Sequence, residues 1–269
     1  MVLVEMGLVD LDEPINAYLP PDAQLVARAG SADDVTVRRV ANHSSGLPLH
    51  FNMFYQEELD AGLRPPRDAT IRQYAQTVSR PGEGWQYSNL GFGLLDRVIS
   101  HLAWLMPGSP FPRGDAGFAR FLQQQVLDPL GLAHTAVGHL SDMDPALAAQ
   151  AALRYTEDSV SGGLGPLEDY DSDHPGAAAV WSSVRDVLRF GEFHCAAHLP
   201  SAGDDDSVLS KEARLEMHRS TAPSGEPPSA DDAAPGYGVG WMVTPHADSG
   251  HHILHHGGGM HGVTATVAP

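Results

Sequence analysis

The strongest hydrophobic periodicity in the chain follows a turn rich in proline and glycine that begins at Pro81. Apolar residues recur there every three or four positions, which is the pattern of one helix face and predicts a helix over residues 86–104. They are Leu90, Leu94, Leu95, Val98, Ile99 and Leu102. The turn therefore delivers Tyr87 and Asn89 to the point where a loop meets a helix.

The start and the interior of this helix carry further signals. Ser88 or Asn89 can accept a free backbone N–H of the first turn and so cap the helix. Gly91 and Gly93 would each cost about 1 kcal/mol in an exposed helix. We therefore expect the helix to pack closely against a neighbour at both glycines.

Weaker patterns predict shorter elements in the rest of the chain. Helical segments are expected at residues 1–7, 15–18, 37–42, 70–80 and 118–126. Another helix begins after Ser183, which forms a capping box with Asp186. Short β-branched or alternating runs predict three consecutive antiparallel strands at residues 238–244, 252–256 and 262–267. Segments without periodicity, at residues 107–113, 140–176, 200–206 and 222–236, are expected to be loops.

Composition limits the class of protein. Of 269 residues, 42% are hydrophobic, which is enough for a substantial core. No run approaches the roughly 20 apolar residues needed to span a bilayer, so no membrane span is predicted. Acidic residues outnumber basic ones by 34 to 16, and the formal charge of −18 argues against nucleic acid as a partner. The single cysteine, Cys195, has no partner for a disulfide within this sequence. No cationic, apolar leader is visible, which favours the cytoplasm but leaves the compartment open.

Five segments occur in an order that is typical of one protein family. They are LDEPINAYLP at residues 11–20, VTVRRVANHSSGLP at 35–48, PGEGWQYSNLGFGLLDRVIS at 81–100, WSSVRD at 181–186, and GYGVGW at 236–241 leading to HGG at 256–258. Together they resemble the serine β-lactamase-like superfamily, the group of class C β-lactamases, D-alanyl-D-alanine carboxypeptidases and related esterases. The resemblance covers nearly the whole chain.

The resemblance implies an α+β fold of the α/β sandwich type. Residues 1–29 and 200–269 would form part of an antiparallel sheet built from both chain ends, with a mostly helical region inserted at residues 30–199. The family's opening strands would precede Met1, and its closing strand and helix would follow Pro269. The sheet is therefore expected to be incomplete here, in a chain truncated at both ends.

The resemblance also implies a serine hydrolase that cleaves ester or amide bonds through an acyl-enzyme. The family's nucleophilic Ser-x-x-Lys would lie about three helical turns before Met1. It occurs nowhere in this sequence, because Lys211 is the only lysine and position 208 is a valine. The chain alone is therefore expected to be inactive, whereas its parent protein would be an enzyme.

The remaining site residues are carried over from the matching motifs. Tyr87 would be the catalytic base, but a phenol with a pKa of about 10 can act only beside a positive charge, which the family's lysine supplies. The substrate would be bound by Asn89, His256, Gly257, Gly258 and Gly259. Because His256 stands where lactamases carry lysine, the pattern favours ester or peptide hydrolysis over β-lactam hydrolysis. No metal or organic cofactor is implied, and the expected partner is a small-molecule ester, amide or peptide.

Four alternatives use other residues or another class of function. Ser44 or Ser45 could be a nucleophile, although a polar loop explains both better. The histidines at 251, 252, 255, 256 and 261 could bind zinc, although a strand sends neighbouring side chains to opposite faces. HGGG also occurs in α/β-hydrolases, but there it precedes a Gly-x-Ser-x-Gly elbow that this chain lacks. Finally, the chain could be a non-catalytic homologue that binds cell-wall peptide or a protein partner.

Overall fold

The computed structural model describes residues 1–157, 162–199, 206–225, 234–246 and 251–268. Its helices are α1 (Val2–Glu5), α2 (Val37–Ala41), α3 (Gln56–Asp60), α4 (Arg67–Tyr74), α5 (Asn89–Leu105), α6 (Asp115–Leu122), α7 (Pro145–Ala148), α8 (Pro175–Ala178), α9 (Val184–Ala196) and α10 (Lys211–His218). Short 3-10 turns occur at Ile15–Ala17, Ala32–Asp34 and Leu140–Asp142, and a π-helical turn at Gln123–Leu127 continues α6.

The strands are all paired in antiparallel fashion. They are β1 (Met53–Tyr55), β2 (Ala136–Val137), β3 (Tyr155–Glu157), β4 (Leu164–Pro166), β5 (Tyr170–Ser172), β6 (Val180–Trp181), β7 (Ala222–Pro223), β8 (Gly236–Tyr237), β9 (Met242–Pro245), β10 (His252–Met260) and β11 (Val263–Val267). The last five form one sheet in the order β11-β10-β9-β8-β7, and the others form the pairs β1–β5, β2–β6 and β3–β4. The mixed helix and strand content of the expected fold is confirmed.

Helix α5 forms where the periodicity predicts it. Ser88 is its N-cap, and its Oγ accepts the backbone N–H of Gly91 at 2.9 Å. This bond satisfies one of the donors that a helix start leaves free. Leu90, Leu94 and Val98 are buried along one face, so the helix is fixed by its cap and by its apolar stripe.

Both glycines of α5 lie against a neighbour, as expected. A methyl group at Gly93 would collide with Nδ1 of His174, which is fully buried in the segment that leads into α8. A methyl group at Gly91 would lie 3.2 Å from Cγ1 of Val40 on α2. Gly93 therefore allows the closest approach to α5, and Gly91 a looser one.

The main hydrophobic core joins α5 to the amino-terminal third of the chain. Its fully buried members include Ile15, Val35, Val40, Leu90 and Leu94. A second cluster lies between α9, α10 and residues 127–132, and a third holds buried residues of the sheet. Each fully buried aliphatic side chain contributes about 1.5–3 kcal/mol relative to exposure, so the main core anchors α5 most strongly.

The sheet draws its strands from residues 222–267 within the described ranges. Strand β10 pairs with β9 through His252–His255 and with β11 through His256–Met260. Residues 1–29 form α1, a 3-10 turn and loops, with isolated bridges such as Pro14 to Thr36. A contribution of the amino-terminal end to the sheet, and the division at residues 29/30 and 199/200, stay predictions.

Some local expectations need correction. Residues 140–176 include α7 and the strands β3, β4 and β5, so they are more regular than the predicted loop. Strand β5 pairs with β1 more than 100 residues earlier, a contact that no local pattern reveals. The N–H of Asp186 is capped by Ser183 as predicted, but its carboxylate accepts from the N–H of His134 at 2.7 Å instead of completing the capping box. The predicted loops at 200–206 and 222–236 fall largely on 200–205 and 226–233, outside the described residues.

No helix in the described ranges combines sufficient length with sufficient apolar character to cross a bilayer.

We predict that Gly93→Ala destabilises the fold by about 1–3 kcal/mol, because the added methyl group overpacks the contact with buried His174. Gly91→Ala is the matched control in the same helix, since its methyl group would lie 3.2 Å from Cγ1 of Val40 and 3.5 Å from Oγ of Ser88 and the change gains helix propensity. Urea denaturation of the two variants should give a clearly lower midpoint for Gly93→Ala. Equal midpoints would contradict the close approach of α5 to His174.

Candidate active site

The loop before α5 and strand β10 bring two of the expected site residues together. The rings of Tyr87 and His256 have centroids 6.5 Å apart, although 169 positions separate them in sequence. Tyr87 is half-buried, immediately before the cap residue Ser88. The loop before α5, which carries Tyr87, and the middle of β10, which carries His256, therefore lie side by side. We call these two segments the wall of the candidate site.

His43 lies behind this wall and is fully buried. Its ring centroid is 4.3 Å from that of Tyr87, 4.7 Å from that of Tyr237 and 5.3 Å from that of Phe92. The backbone of His43 has φ 62°, a left-handed conformation that is costly for a residue with a side chain. Strain of this kind persists only where surrounding contacts impose it, and it concentrates at functional sites.

Three hydrogen bonds connect the helix start to the strand. The backbone N–H of Ser88 donates to Nδ1 of His43 at 3.1 Å. Nε2 of His43 lies 3.3 Å from the hydroxyl of Tyr237, and the same hydroxyl lies 2.8 Å from Nε2 of His256. Tyr237 on β8 therefore bridges two imidazoles.

Burial keeps the site electrically neutral. It lowers the pKa of His43 to about 3, with the nearby His256 acting in the same direction. Burial also lowers the pKa of His256, against the opposing effect of a backbone hydrogen bond with Gly257. For Tyr87 and Tyr237 burial raises the pKa of the phenol. At neutral pH all four rings are uncharged, so Tyr87 is not a base in this structure.

The glycines after His256 leave open space along β10. Gly257, Gly258 and Gly259 are exposed, and methyl groups at Gly258 and Gly259 would meet no atom of the described residues within 4 Å. Neither position has a positive φ. The fold therefore does not demand glycine at 258 or 259, whereas a ligand that approaches the strand backbone would.

The other site candidates have clear positions. Asn89 is the first residue of α5, half-buried, and its backbone N–H donates to the carbonyl of Leu49 at 3.0 Å. Its side chain starts two residues from Tyr87, and its role in substrate binding stays a prediction. Ser44 and Ser45 are buried; the Ser44 hydroxyl donates to Oδ1 of Asn42 at 2.7 Å, and the Ser45 hydroxyl accepts from the N–H of Leu47. Both serines stabilise their own loop.

The histidines around β10 contact separate partners. His255 lies 3.0 Å from the hydroxyl of Thr244, whereas His261 lies 2.6 Å from the hydroxyl of Tyr55. Together with the bond from His256 to Tyr237, these contacts send the imidazoles in different directions.

A different group in the described residues has the spacing of a metal site. Ligand atoms of His50, Asp173 and His174 all lie within 4.8 Å of one another. The amide nitrogen of Asn52, however, donates to Asp173 at 3.0 Å and lies 3.3 Å from Nε2 of His50. His50 therefore carries its proton on Nδ1, which faces Nε2 of His174 at 3.0 Å. An ion would have to displace that proton, so we interpret the group as a hydrogen-bonded cluster.

Sequence reasoning missed the two residues that hold the site together, His43 and Tyr237. Both belong to segments of the family pattern, HSSGLP and GYGVGW. Only Ser44 and Ser45 of the first segment were considered as candidates, and no residue of the second segment was. The signal was present, but the contact between the two residues spans 194 positions.

The chain is similar to several known proteins. The family model named Beta-lactamase matches residues 1–269. Penicillin-binding protein 4* of Bacillus subtilis is 24% identical over 271 residues, which cover 96% of this chain and 52% of that protein. The D-alanyl-D-alanine-carboxypeptidase/endopeptidase AmpH of Escherichia coli is 27% identical over 140 residues, 49% of this chain and 31% of that protein. The chain thus spans about half or less of the length of these curated relatives.

Solved structures show the same fold at low identity. The octameric penicillin-binding protein homologue from Pyrococcus abyssi has a TM-score of 0.69 and 23% identity, covering 99% of this chain and 55% of that chain. A class C beta-lactamase has a TM-score of 0.68 and 18% identity, covering 99% of this chain and 68% of that chain. The arrangement of helices and strands is therefore shared with these proteins.

We predict that His43 makes the stability of the chain depend on pH below 6.5. Its folded pKa of about 3 lies below the ordinary value of 6.5, so the unfolded state binds more protons in that range. The stabilisation is complete above pH 6.5 and is lost as the pH falls, by ~1.5 kcal/mol between pH 6.5 and 5 from this residue.

The measurement is urea denaturation at several pH values in that window, where carboxylates are largely ionised. His43→Gln should reduce the slope only by the share of this residue, because burial lowers the pKa of His218 to about 3 and of other buried histidines as well. His134→Gln, which changes an exposed side chain, should leave the slope unchanged. An unchanged slope in His43→Gln would show that His43 is not held neutral.

Proposed function

This chain belongs to the beta-lactamase family, and from that premise we propose that it forms the larger part of the active site of a serine hydrolase acting on ester or amide bonds. Members of the family are serine hydrolases, including β-lactamases and D-alanyl-D-alanine carboxypeptidases. The acyl group of the substrate would pass through an acyl-enzyme on a serine.

One observation carries the proposal. Tyr87 and His256, placed by two separate family motifs, have ring centroids 6.5 Å apart beside a strand with open space at Gly258 and Gly259. A phenol, a half-buried carboxamide at Asn89 and a backbone N–H on the side of β10 that does not pair with β11 are the groups that acyl transfer needs around a carbonyl.

The nucleophile of this reaction is not among the 269 residues. The sequence contains one lysine, Lys211, and no serine three residues before it. We propose that a Ser-x-x-Lys pair belongs to a helix preceding Met1 in the parent protein. Its lysine would lower the pKa of Tyr87, which burial otherwise raises.

Each group then has a role. Tyr87 accepts the proton of the serine hydroxyl as the oxygen attacks the carbonyl carbon, and returns it to the leaving oxygen or nitrogen. Asn89 donates to the substrate carbonyl or amide, and the N–H of Gly259 stabilises the oxyanion together with the N–H of the serine. Water then releases the acyl group by the same proton path.

The replacement of lysine by His256 supports esters or peptides as substrates over β-lactams. A neutral imidazole offers a single donor and no charge to a substrate carboxylate. Related proteins include a D-alanyl-D-alanine-carboxypeptidase/endopeptidase and a D-stereospecific amidohydrolase from Streptomyces, which are enzymes of peptide or amide bonds by name.

We predict that residues 1–269 alone release no burst of product from p-nitrophenyl esters or nitrocefin, because the chain has no activated serine. Stopped-flow absorbance at stoichiometric substrate concentration makes the measurement, with Tyr87→Phe as the control for adventitious hydrolysis. A burst proportional to chain concentration, absent in Tyr87→Phe, would place a nucleophile inside this sequence.

We predict that a fluorophosphonate probe labels the longer parent protein at one serine, in a Ser-x-x-Lys about ten residues before Met1. Peptide mapping of the labelled protein identifies that serine. Labelling elsewhere, or an upstream reading frame without the motif, contradicts the assignment. In that case measurable binding of cell-wall peptide without turnover would favour the non-catalytic alternative.

A further inference from the structure

The hydrogen-bonded series from Ser88 through His43 and Tyr237 to His256 fixes more than distances. Its first donor is a backbone N–H, which can only donate. Each later group must therefore adopt one donor or acceptor role, and the position of every proton in the series follows from the first.

The direction of hydrogen-bond donation along the series is set at His43. Because Nδ1 accepts from Ser88, the proton of the neutral ring is on Nε2, which faces the oxygen of Tyr237 at 3.3 Å. The Tyr237 hydroxyl is thus an acceptor for His43, and its own hydrogen needs another partner. Nε2 of His256, at 2.8 Å, is that partner.

Donation from His256 to Tyr237, the opposite direction, would cost free energy. If His256 carried its proton on Nε2, two N–H groups would point at one phenolic oxygen, and the Tyr237 hydrogen would lose its acceptor. Tyr237 is 1% exposed and His43 is fully buried, so solvent does not replace the missing partner there. A buried donor without a partner costs about 1–3 kcal/mol. The proton of His256 therefore belongs on Nδ1.

We propose that Tyr237 is a positioning residue whose hydroxyl, oriented by His43, holds His256 in the Nδ1–H tautomer and ties strand β10 to the first turn of α5. The inference rests on the proposed function only in what the positioning serves, because Tyr237 would hold in place the wall that carries Tyr87 and strand β10. The geometry that supports it does not depend on turnover.

The tautomer has a consequence for recognition. Nε2 of His256 accepts from Tyr237, so Nδ1–H is the single donor of the ring, and the hydrogen bond with the backbone of Gly257 already engages it. A substrate whose binding requires a charge-assisted donor for its carboxylate gains little from this ring. Recognition along β10 then falls to those backbone N–H groups of Gly257–Gly259 that alternate with the ones paired to β11, which suits an uncharged acyl group.

The test is ¹⁵N NMR of the imidazoles in the uniformly labelled chain at neutral pH. Two-bond ¹H–¹⁵N correlations distinguish a protonated Nδ1 from a protonated Nε2, and the His256 signals are assigned by their loss in His256→Gln. The expected result is a protonated Nδ1 in His256 and a protonated Nε2 in His43. A protonated Nε2 in His256 overturns the proposal, and this NMR measurement needs no variant of Tyr237.

Tyr237→Phe provides the second measurement. It keeps the ring and removes the hydroxyl, so the ratio of the Nδ1–H to the Nε2–H tautomer of His256 should fall by about tenfold with the loss of one buried hydrogen bond. Tyr18→Phe is the matched control, because its hydroxyl accepts one hydrogen bond from the N–H of Asp10, at 2.8 Å, remote from His256 in sequence. An unchanged ratio in folded Tyr237→Phe overturns the proposal.

Failure of the proposed function is a separate result. A parent protein that hydrolyses no acyl substrate, while His256 shows the Nδ1–H tautomer, supports the hydrogen-bonded series and counts only against the enzyme. A hydrolase whose His256 shows the Nε2–H tautomer counts only against Tyr237 as the positioning residue.

Discussion

The burial of one imidazole, that of His43, is the constraint on which the site depends. Ser88 caps α5 with its hydroxyl and donates its backbone N–H to His43, so one residue sets both where the helix starts and how the imidazole is oriented. The other side of that imidazole contacts Tyr237 on β8, which holds His256 on β10. A helix terminus and a sheet that belong to different hydrophobic clusters are thereby fixed to each other by directional bonds. The unfavourable φ of His43 is the cost of this connection.

Neutrality is the second property that burial imposes. The same desolvation that lowers the pKa of His43 and His256 raises the pKa of Tyr87, so the wall carries no charge at neutral pH. A surrounding of low effective dielectric strengthens the influence of any charge placed in it. A single cation beside Tyr87 would therefore act strongly on the pKa of its phenol.

Much of the secondary structure around the site was predictable because it depends on residues that are close together in sequence. The apolar stripe of α5, its Ser88 cap and the three carboxy-terminal strands follow from periodicity and turn chemistry over short windows of sequence. The segment at residues 140–176 was not predictable in this way, since β5 is a strand only because β1 lies beside it. The roles of His43 and Tyr237 were likewise not predictable from short windows of sequence. Each is an ordinary buried aromatic or imidazole residue in its own neighbourhood, and only the contact between them gives it a role.

The glycines of β10 show how the structure separates a structural from a functional explanation. Gly93 in α5 is required by the fold, because a methyl group there would meet His174. Gly258 and Gly259 have no such neighbour and no unusual φ, so neither packing nor backbone strain accounts for them. They follow His256 in the half of β10 that pairs with β11, next to the ring that Tyr237 holds in place. The proposed binding of a substrate along β10 depends on this arrangement, in which a fixed imidazole is followed by glycines that the packing of the described residues does not require.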